Sequence, residues 1–296
     1  MANLRDIRNR IESIKNTQQI TRAMKMVAAA KLRKAQDRII ETRPYASKMK
    51  EVVARMVKSS NDENVLLDNP ETTHNVLFII VGSDRGLCGG FNNNLFKVVE
   101  KEIDKNYSAF KKNDNLSLIC IGRQAIKYFG KRNYNIQSKF PGFWDDIEFH
   151  KATAIMKSVI NDFKSGTYDE VKLVFNEFKS VIAQNRLIEQ VLTINPATLV
   201  DEDQDVSHDT EYIFEPNADE ILEKLLPLHL NLQLWKAILE SNAAEQGARM
   251  TAMDNATENA QEMKEDLQLE YNRARQSAIT TEISEIISGA QALEEA

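Results

Sequence analysis

Apolar residues near the start of the chain fall at Leu4, Ile7, Ile11 and Ile14, a three-four spacing that lines one side of a helix. The stripe then drifts through Ile20, Met24, Val27, Ala28, Ala35 and Ile39. Residues 3–58 therefore read as one helix or two in line, with a bend or joint expected at Pro44. A linker is expected over Ser59–Asn64. The texture changes at Val76–Val81, an apolar run rich in β-branched residues that stops at Gly82. Leu116–Ile121 repeats it. Helical patterns follow at about 92–105, 123–131 and 150–164, and Val171–Phe178 and Leu187–Ile194 are further strand candidates. The alternation predicts a Rossmann-like α/β domain on a mainly parallel sheet.

Asp201–Asp205 reads as an acidic loop. Helical periodicity returns at Asn217, with a kink expected at Pro227, and runs to the end through Ala274, Ala278, Ile279, Ile283, Ile286 and Ile287. A helix of about 60 residues is roughly 90 Å long, more than the α/β domain can cover. It needs a partner, and the first helix is the one available. Small or flexible residues mark the expected seam: Ala23, Met24, Val27, Ala28, Ala30 and Ala35 on one side, Met253, Ala256, Ala260, Met263 and Leu267 on the other. The predicted architecture is an antiparallel coiled coil of N- and C-terminal helices with the α/β domain inserted between them, divided as 1–60, 75–197 and 210–296.

Charge supports the pairing. Residues 1–58 carry fifteen Lys and Arg against five Asp and Glu, whereas residues 217–296 carry six against fifteen. With a net charge of −6 over 296 residues, nothing in the overall balance implies nucleic acid. Cys88 and Cys120 have no metal-like spacing. No apolar run approaches the roughly 18 residues of a membrane span.

Candidate chemistry is sparse. The turn Gly82-Ser-Asp-Arg-Gly-Leu-Cys-Gly-Gly90 could cradle phosphate at a helix start, but it lacks the Gly-Lys-Ser/Thr ending of a phosphate loop and does not match Gly-x-Gly-x-x-Gly. A tight turn presenting Arg85 on a surface is the simpler reading; a nucleotide-binding enzyme with helical oligomerisation arms is the alternative. His74, His150, His208 and His229 are scattered and read as surface or capping histidines. Cys88 sits in an exposed-looking glycine-rich setting with no evident base. No catalytic, metal or cofactor site is expected.

Three blocks carry a family resemblance: Thr21–Lys34 (TRAMKMVAAAKLRK), Ser83–Gly90 (SDRGLCGG) and Ala278–Ala290 (AITTEISEIISGA). With Tyr212–Pro216 and Ala248–Met253, in this order and spacing, the chain resembles the gamma subunit of F-type ATP synthase over essentially its whole length. The resemblance implies a non-catalytic rotor shaft inside a collar of three alpha and three beta subunits, beside the epsilon subunit. It would stand on a membrane ring of c subunits and meet the membrane only through that ring. Ring rotation driven by protons would then be coupled to ATP synthesis and hydrolysis in the collar.

Residue by residue, the resemblance implies alpha or beta contacts at Met24, Lys25, Arg85, Cys88, Arg275, Gln276, Thr280 and Glu282. Arg249 would pair with the other shaft helix or with beta, and Tyr212 and Glu215 would face the c ring. The apolar tip Ile283–Leu293 would turn in an apolar sleeve. The chain opens on Met1 without a targeting extension, and the regulatory cysteine insertion of the chloroplast form is missing. The expected setting is the cytoplasmic face of a bacterial inner membrane.

Overall fold

A computed structural model describes residues 4–59, 64–67, 72–194 and 217–294. Helix α1 runs Leu4–Ser59 without interruption. Pro44 lies inside it rather than at a joint; its position is exposed, where solvent can meet the carbonyl that proline leaves unbonded. The central elements follow in order: β1 (Val76–Val81), α2 (Phe91–Asn106), α3 (Ser108–Lys112), β2 (Leu116–Ile121), α4 (Arg123–Gly130), β3 (Asn135–Phe140), α5 (Phe149–Lys164), β4 (Glu170–Phe178) and β5 (Gln184–Leu192). Helix α6 runs Ala218–Glu294, continuous through Pro227. Asn217 caps it, its side-chain oxygen accepting the Glu220 amide at 2.8 Å. The acidic stretch Asp201–Asp205 and the pair Tyr212 and Glu215 lie outside the described residues.

The sheet order is β3-β2-β1-β4-β5, with β1 to β4 parallel and β5 antiparallel to β4. Central strands are buried on both faces, which is why β1 is apolar at every position. Leu77, Ile79 and Val81 face a core shared with α1, α5 and the first part of α6, through Val53, Met156, Leu226 and Leu230. Phe78 and Ile80 face the opposite core, with Phe96 of α2 and Phe129 of α4. Strand β3 was not foreseen. Its sequence, Asn-Ile-Gln-Ser-Lys-Phe, alternates exposed and half-buried positions because it is an edge strand. The fifth strand also starts earlier than its apolar run suggests, at Gln184.

The chain divides into two compact units, Met1–Ala28 with Met250–Ala296, and Ala29–Arg249. In the larger unit, Leu32, Ala35 and Ile39 of α1 pack on Leu239 and Ala243 of α6 in an apolar seam. Gly247 lets α6 pass close to the β4–β5 turn; a Cβ there would stand 3.3 Å from the Phe178 ring. His229, expected at the surface, is 3% exposed because it lies on the core side of α6, 3.0 Å from the Gln233 amide nitrogen.

In the smaller unit, α1 and α6 run antiparallel: Lys25 pairs with Asp254, Thr21 with Thr257, and Gln18 with Gln261. Here the expected seam is corrected. Ala23 and Val27 are exposed, Met263 is 55% exposed, and Ala30 further along α1 is exposed as well. The three-four spacing set by Leu4, Ile7, Ile11 and Ile14 continues instead through Gln18, Thr21, Lys25 and Ala28, all buried or half-buried. A reading that followed hydrophobicity left the seam where the seam turned polar.

Candidate partner-contact surfaces

The Gly82–Gly90 turn leaves β1 at the carboxyl end of the sheet, and a buried carboxylate organises it. Asp84 Oδ1 accepts the amides of Arg123 and Gly142, each at 2.9 Å, and Oδ2 accepts that of Trp144 at 3.1 Å. Three loops are thereby tied to one side chain. Trp144 Nε1 donates to the Gly82 carbonyl at 2.7 Å, and Asn92 accepts the Ser83 amide at 3.0 Å. Gly122, with φ +95°, crosses so near that a Cβ would lie 2.4 Å from the Gly82 carbonyl oxygen.

In doubly wound sheets, ligands bind outside the carboxyl ends of the strands where strand order reverses, here between β1 and β4. Helix α6 occupies that position. Ser241 Oγ lies 3.4 Å from the carbonyl of Val81, the last residue of β1. Glu240 Oε2 accepts the amide of Phe178, the last residue of β4, at 3.1 Å, while its other oxygen meets Arg43 at 3.2 Å. The crevice that would hold a nucleotide holds the chain's own helix.

The turn splits the two residues read together from sequence. Arg85 is an open cation, its side chain 76% exposed and 3.5 Å from Asp145. Cys88 is buried, not exposed, packed with Phe91 and Ala244 and receiving the Asn92 amide at 3.3 Å. Burial, and then the Glu245 charge, push its thiol above the usual cysteine range. Glycine density suggested exposure; the apolar neighbour Ala244, far along the chain, removes it.

Arg249 faces inward. It pairs with Glu245 at 2.6 Å, and reaches the carbonyls of Arg85 at 3.4 Å and Gly86 at 3.3 Å. Its side chain is 11% exposed, so its partners are its own helix and the Gly-rich turn. Burial raises the Glu245 carboxyl and Arg249 opposes that shift. A cleft of about 530 Å³ adjoins the turn, lined on one side by Lys31, Lys34 and Arg38 of α1. These three form no ion pair among the described residues. They were missed as a group; their spacing of three and four is the signal that puts them on one helical face.

The smaller unit carries a mixed pattern, with Ile7, Ala28, Met253 and Ala260 buried in it. Its seam holds Gln18, Thr21 and Lys25, while Ile20, Met26 and Val27 point outward at 59%, 61% and 57% exposure. Met24 is half-buried, and Lys25 is committed to Asp254. Further along α6, Arg275, Gln276, Thr280 and Glu282 are all exposed. They share that stretch with Ile279, Ile283, Ile286, Ile287 and Leu293, also exposed. Among the described residues no cluster suits a metal ion, and no helix is long and apolar enough to cross a membrane.

These surfaces have known counterparts. The ATP synthase family matches residues 3–293. The ATP synthase gamma chain of Chlorobaculum tepidum is 48% identical over the full length of both chains. That of Salinibacter ruber is 47% identical, covering 100% of this chain and 99% of its own. Among solved structures, the central stalk and c-ring of the Tetrahymena thermophila mitochondrial ATP synthase aligns over 80% of this chain and 99% of its own, with a TM-score of 0.58 and 25% identity. The rotor of the Euglena gracilis mitochondrial enzyme shares the fold, with a TM-score of 0.65 over 93% of this chain and 98% of its own, at 18% identity. Paired terminal helices, a sheet whose ligand crevice is filled from within, and near-half identity from end to end agree: this chain belongs to the ATP synthase gamma-chain family.

Proposed function

We propose that the chain is the central rotor shaft of an F-type ATP synthase, a non-catalytic subunit that couples rotation of a c-subunit ring to ATP synthesis and hydrolysis in an alpha-beta collar. The observation that carries the reading is the set of exposed apolar side chains on the smaller unit. A helix pair that buries Ile7, Ala28, Met253 and Ala260 alongside Thr21, and still leaves Ile20, Met26, Val27, Ile283 and Ile286 exposed, needs an external apolar surface. One asymmetric chain inside a three-fold collar meets each collar subunit through a different face, and such differential contact is what biases the conformation of each.

In this reading three alpha and three beta subunits surround the helices. Arg275, Gln276, Thr280 and Glu282 grip them, and Arg85 and the Lys31–Lys34–Arg38 row meet acidic collar surfaces. Met24 contributes from its half-buried position, while Lys25, Cys88 and Arg249 act through the chain's own packing. Tyr212 and Glu215 belong to the foot, facing the c ring beside epsilon. Segments 1–60 and 210–296 form the shaft and 75–197 its base, on the cytoplasmic face of a bacterial inner membrane.

Mixing the purified chain with alpha and beta subunits from the same source tests this. The expected product has three alpha, three beta and one copy of this chain, and hydrolyses ATP well above alpha and beta alone. Failure of folded components to assemble, or assembly without stimulation, overturns the reading. With the switch-point crevice filled by Ser241 and Glu240, the isolated chain is expected to bind no nucleotide.

A further inference from the structure

The geometry points to Arg249 as a positioning residue that clamps the Gly82–Gly90 turn, with Glu245 as its brace, so that Arg85 is presented in one pose and Cys88 stays covered. The turn is anchored at its start by Asp84 and by Asn92, which accepts the Ser83 amide, and at its helix end by the Asn92 side-chain amide on the Cys88 sulfur. Between them, the carbonyls of Arg85 and Gly86 find their α6 partner in the Arg249 guanidinium, at 3.4 and 3.3 Å. Gly86 has open space around it, with nothing within 4 Å of a Cβ built there, so beside Arg249 this part of the turn is held by the bond that Ser83 Oγ donates to the Arg85 carbonyl at 2.7 Å.

The clamp is itself fixed. Glu245, one helical turn before Arg249, takes the guanidinium at 2.6 Å. Its second oxygen is buried with no hydrogen-bond partner, which leaves Arg249 as the group that compensates this carboxylate. Asp84 adds like charge nearby and Lys31 opposite charge, and Arg249 outweighs both in its effect on Glu245. All three contacts are made by one guanidinium nitrogen, Nη2, which gives the carboxylate its short bond and shares its longer ones between the two carbonyls. Cys88 packs beside Ala244 and Phe91, and the turn meets its sulfur through Ser83 Oγ at 3.9 Å and the Arg85 carbonyl at 3.8 Å. Losing the clamp uncovers that thiol without disturbing the sheet. The effect on Arg85 as a collar contact rests on the function proposed above; the clamp itself does not.

Two cysteines make the test internal. Cys88 reports the turn, and Cys120, wholly buried in central strand β2, reports global opening. Alkylation of the native full-length chain by N-ethylmaleimide is followed at each site by mass spectrometry. Arg249→Gln is expected to raise the Cys88 rate at least about tenfold and leave Cys120 unchanged. Because Arg249→Gln strands a buried carboxylate, the double variant Arg249→Gln with Glu245→Gln is run beside it and is expected to release Cys88 equally. Arg249→Lys should restore part of the protection. An unchanged Cys88 rate in both Gln variants overturns the clamp, as does a rise at both cysteines together.

In the assembled complex, Arg85→Gln and Arg249→Gln are expected to lower ATPase stimulation by similar factors, with the double variant no worse than either. Additive losses there would show that Arg249 does not act through Arg85. An assembly that never forms would overturn the rotor reading and leave the cysteine result standing.

Discussion

Helices α1 and α6 pair twice, on the same heptad spacing, once through apolar layers alone and once with polar layers set among buried Ile7 and Ala28. Around Leu32, Ala35 and Ile39 the seam is apolar, and Leu239 and Ala243 close it. Around Gln18, Thr21 and Lys25 it is built from an amide pair, a hydroxyl pair and an ion pair. The apolar seam belongs to the unit whose helices also cover a sheet, so burial stabilises it from two directions. The polar seam belongs to the unit whose outer face carries Ile20, Met26 and Val27. Spacing thus states where two helices meet but not what they place there. Polar seam layers specify alignment at the expense of stability, and the apolar groups they displace are left for another surface.

The sharpest way to break this contrast is to cut into the apolar seam. Leu239 is 1% exposed, and Leu239→Ala is expected to cost about 3 kcal/mol, read as a lower urea midpoint with unchanged slope. Acid attacks the same unit from another side. Burial and the nearby Lys50 charge hold His229 at a pKa of about 4, down from 6.5. The unfolded chain therefore binds the extra proton first as pH falls. The stability from neutral His229 is complete above about pH 6.5 and is lost as pH drops toward 4, by up to roughly 3 kcal/mol. Urea titrations at pH 7 and pH 4.5 should show the loss, and His229→Gln should flatten it.

The polar seam should respond weakly and in the other direction. Gln18→Leu with Gln261→Leu removes both members of a part-buried pair, so the unfolding midpoint is expected to hold or rise, by about 1 kcal/mol at most. A large loss would mean that this seam resembles the apolar one after all. Smallest of all, Ile286→Ala at a 70% exposed position should move the isolated chain's stability by under about 0.5 kcal/mol. In the assembled complex the same change should weaken binding, and an effect confined to the isolated chain would contradict the outward role of this face.

Legibility followed burial. Strands β1 and β2 were visible because parallel strands covered on both faces are apolar throughout. Edge strand β3 was invisible because half its positions meet water. Exposed Arg85, Arg275, Gln276, Thr280 and Glu282 stand where the motifs put them, on a turn and on a helix face. Cys88 and Arg249 face inward and Lys25 is half-exposed in an ion pair, because Ala244, the Arg85 and Gly86 carbonyls and Asp254 respectively claim them. Those partners lie more than 150 residues away in sequence, beyond any local pattern.

Sequence by itself therefore determined the order of elements apart from β3 and the short α3, the helical ends with their opposite charges and the mainly parallel character of the sheet, since each rests on short-range periodicity and composition. Tertiary structure alone decided that polar side chains fill seam positions of α1, because a half-buried glutamine or lysine is tolerated there only once Gln261 or Asp254 stands opposite. It also decided that the ligand crevice of the sheet is filled. Glu240 and Ser241 look like ordinary helix residues until the fold sets them against the ends of β4 and β1.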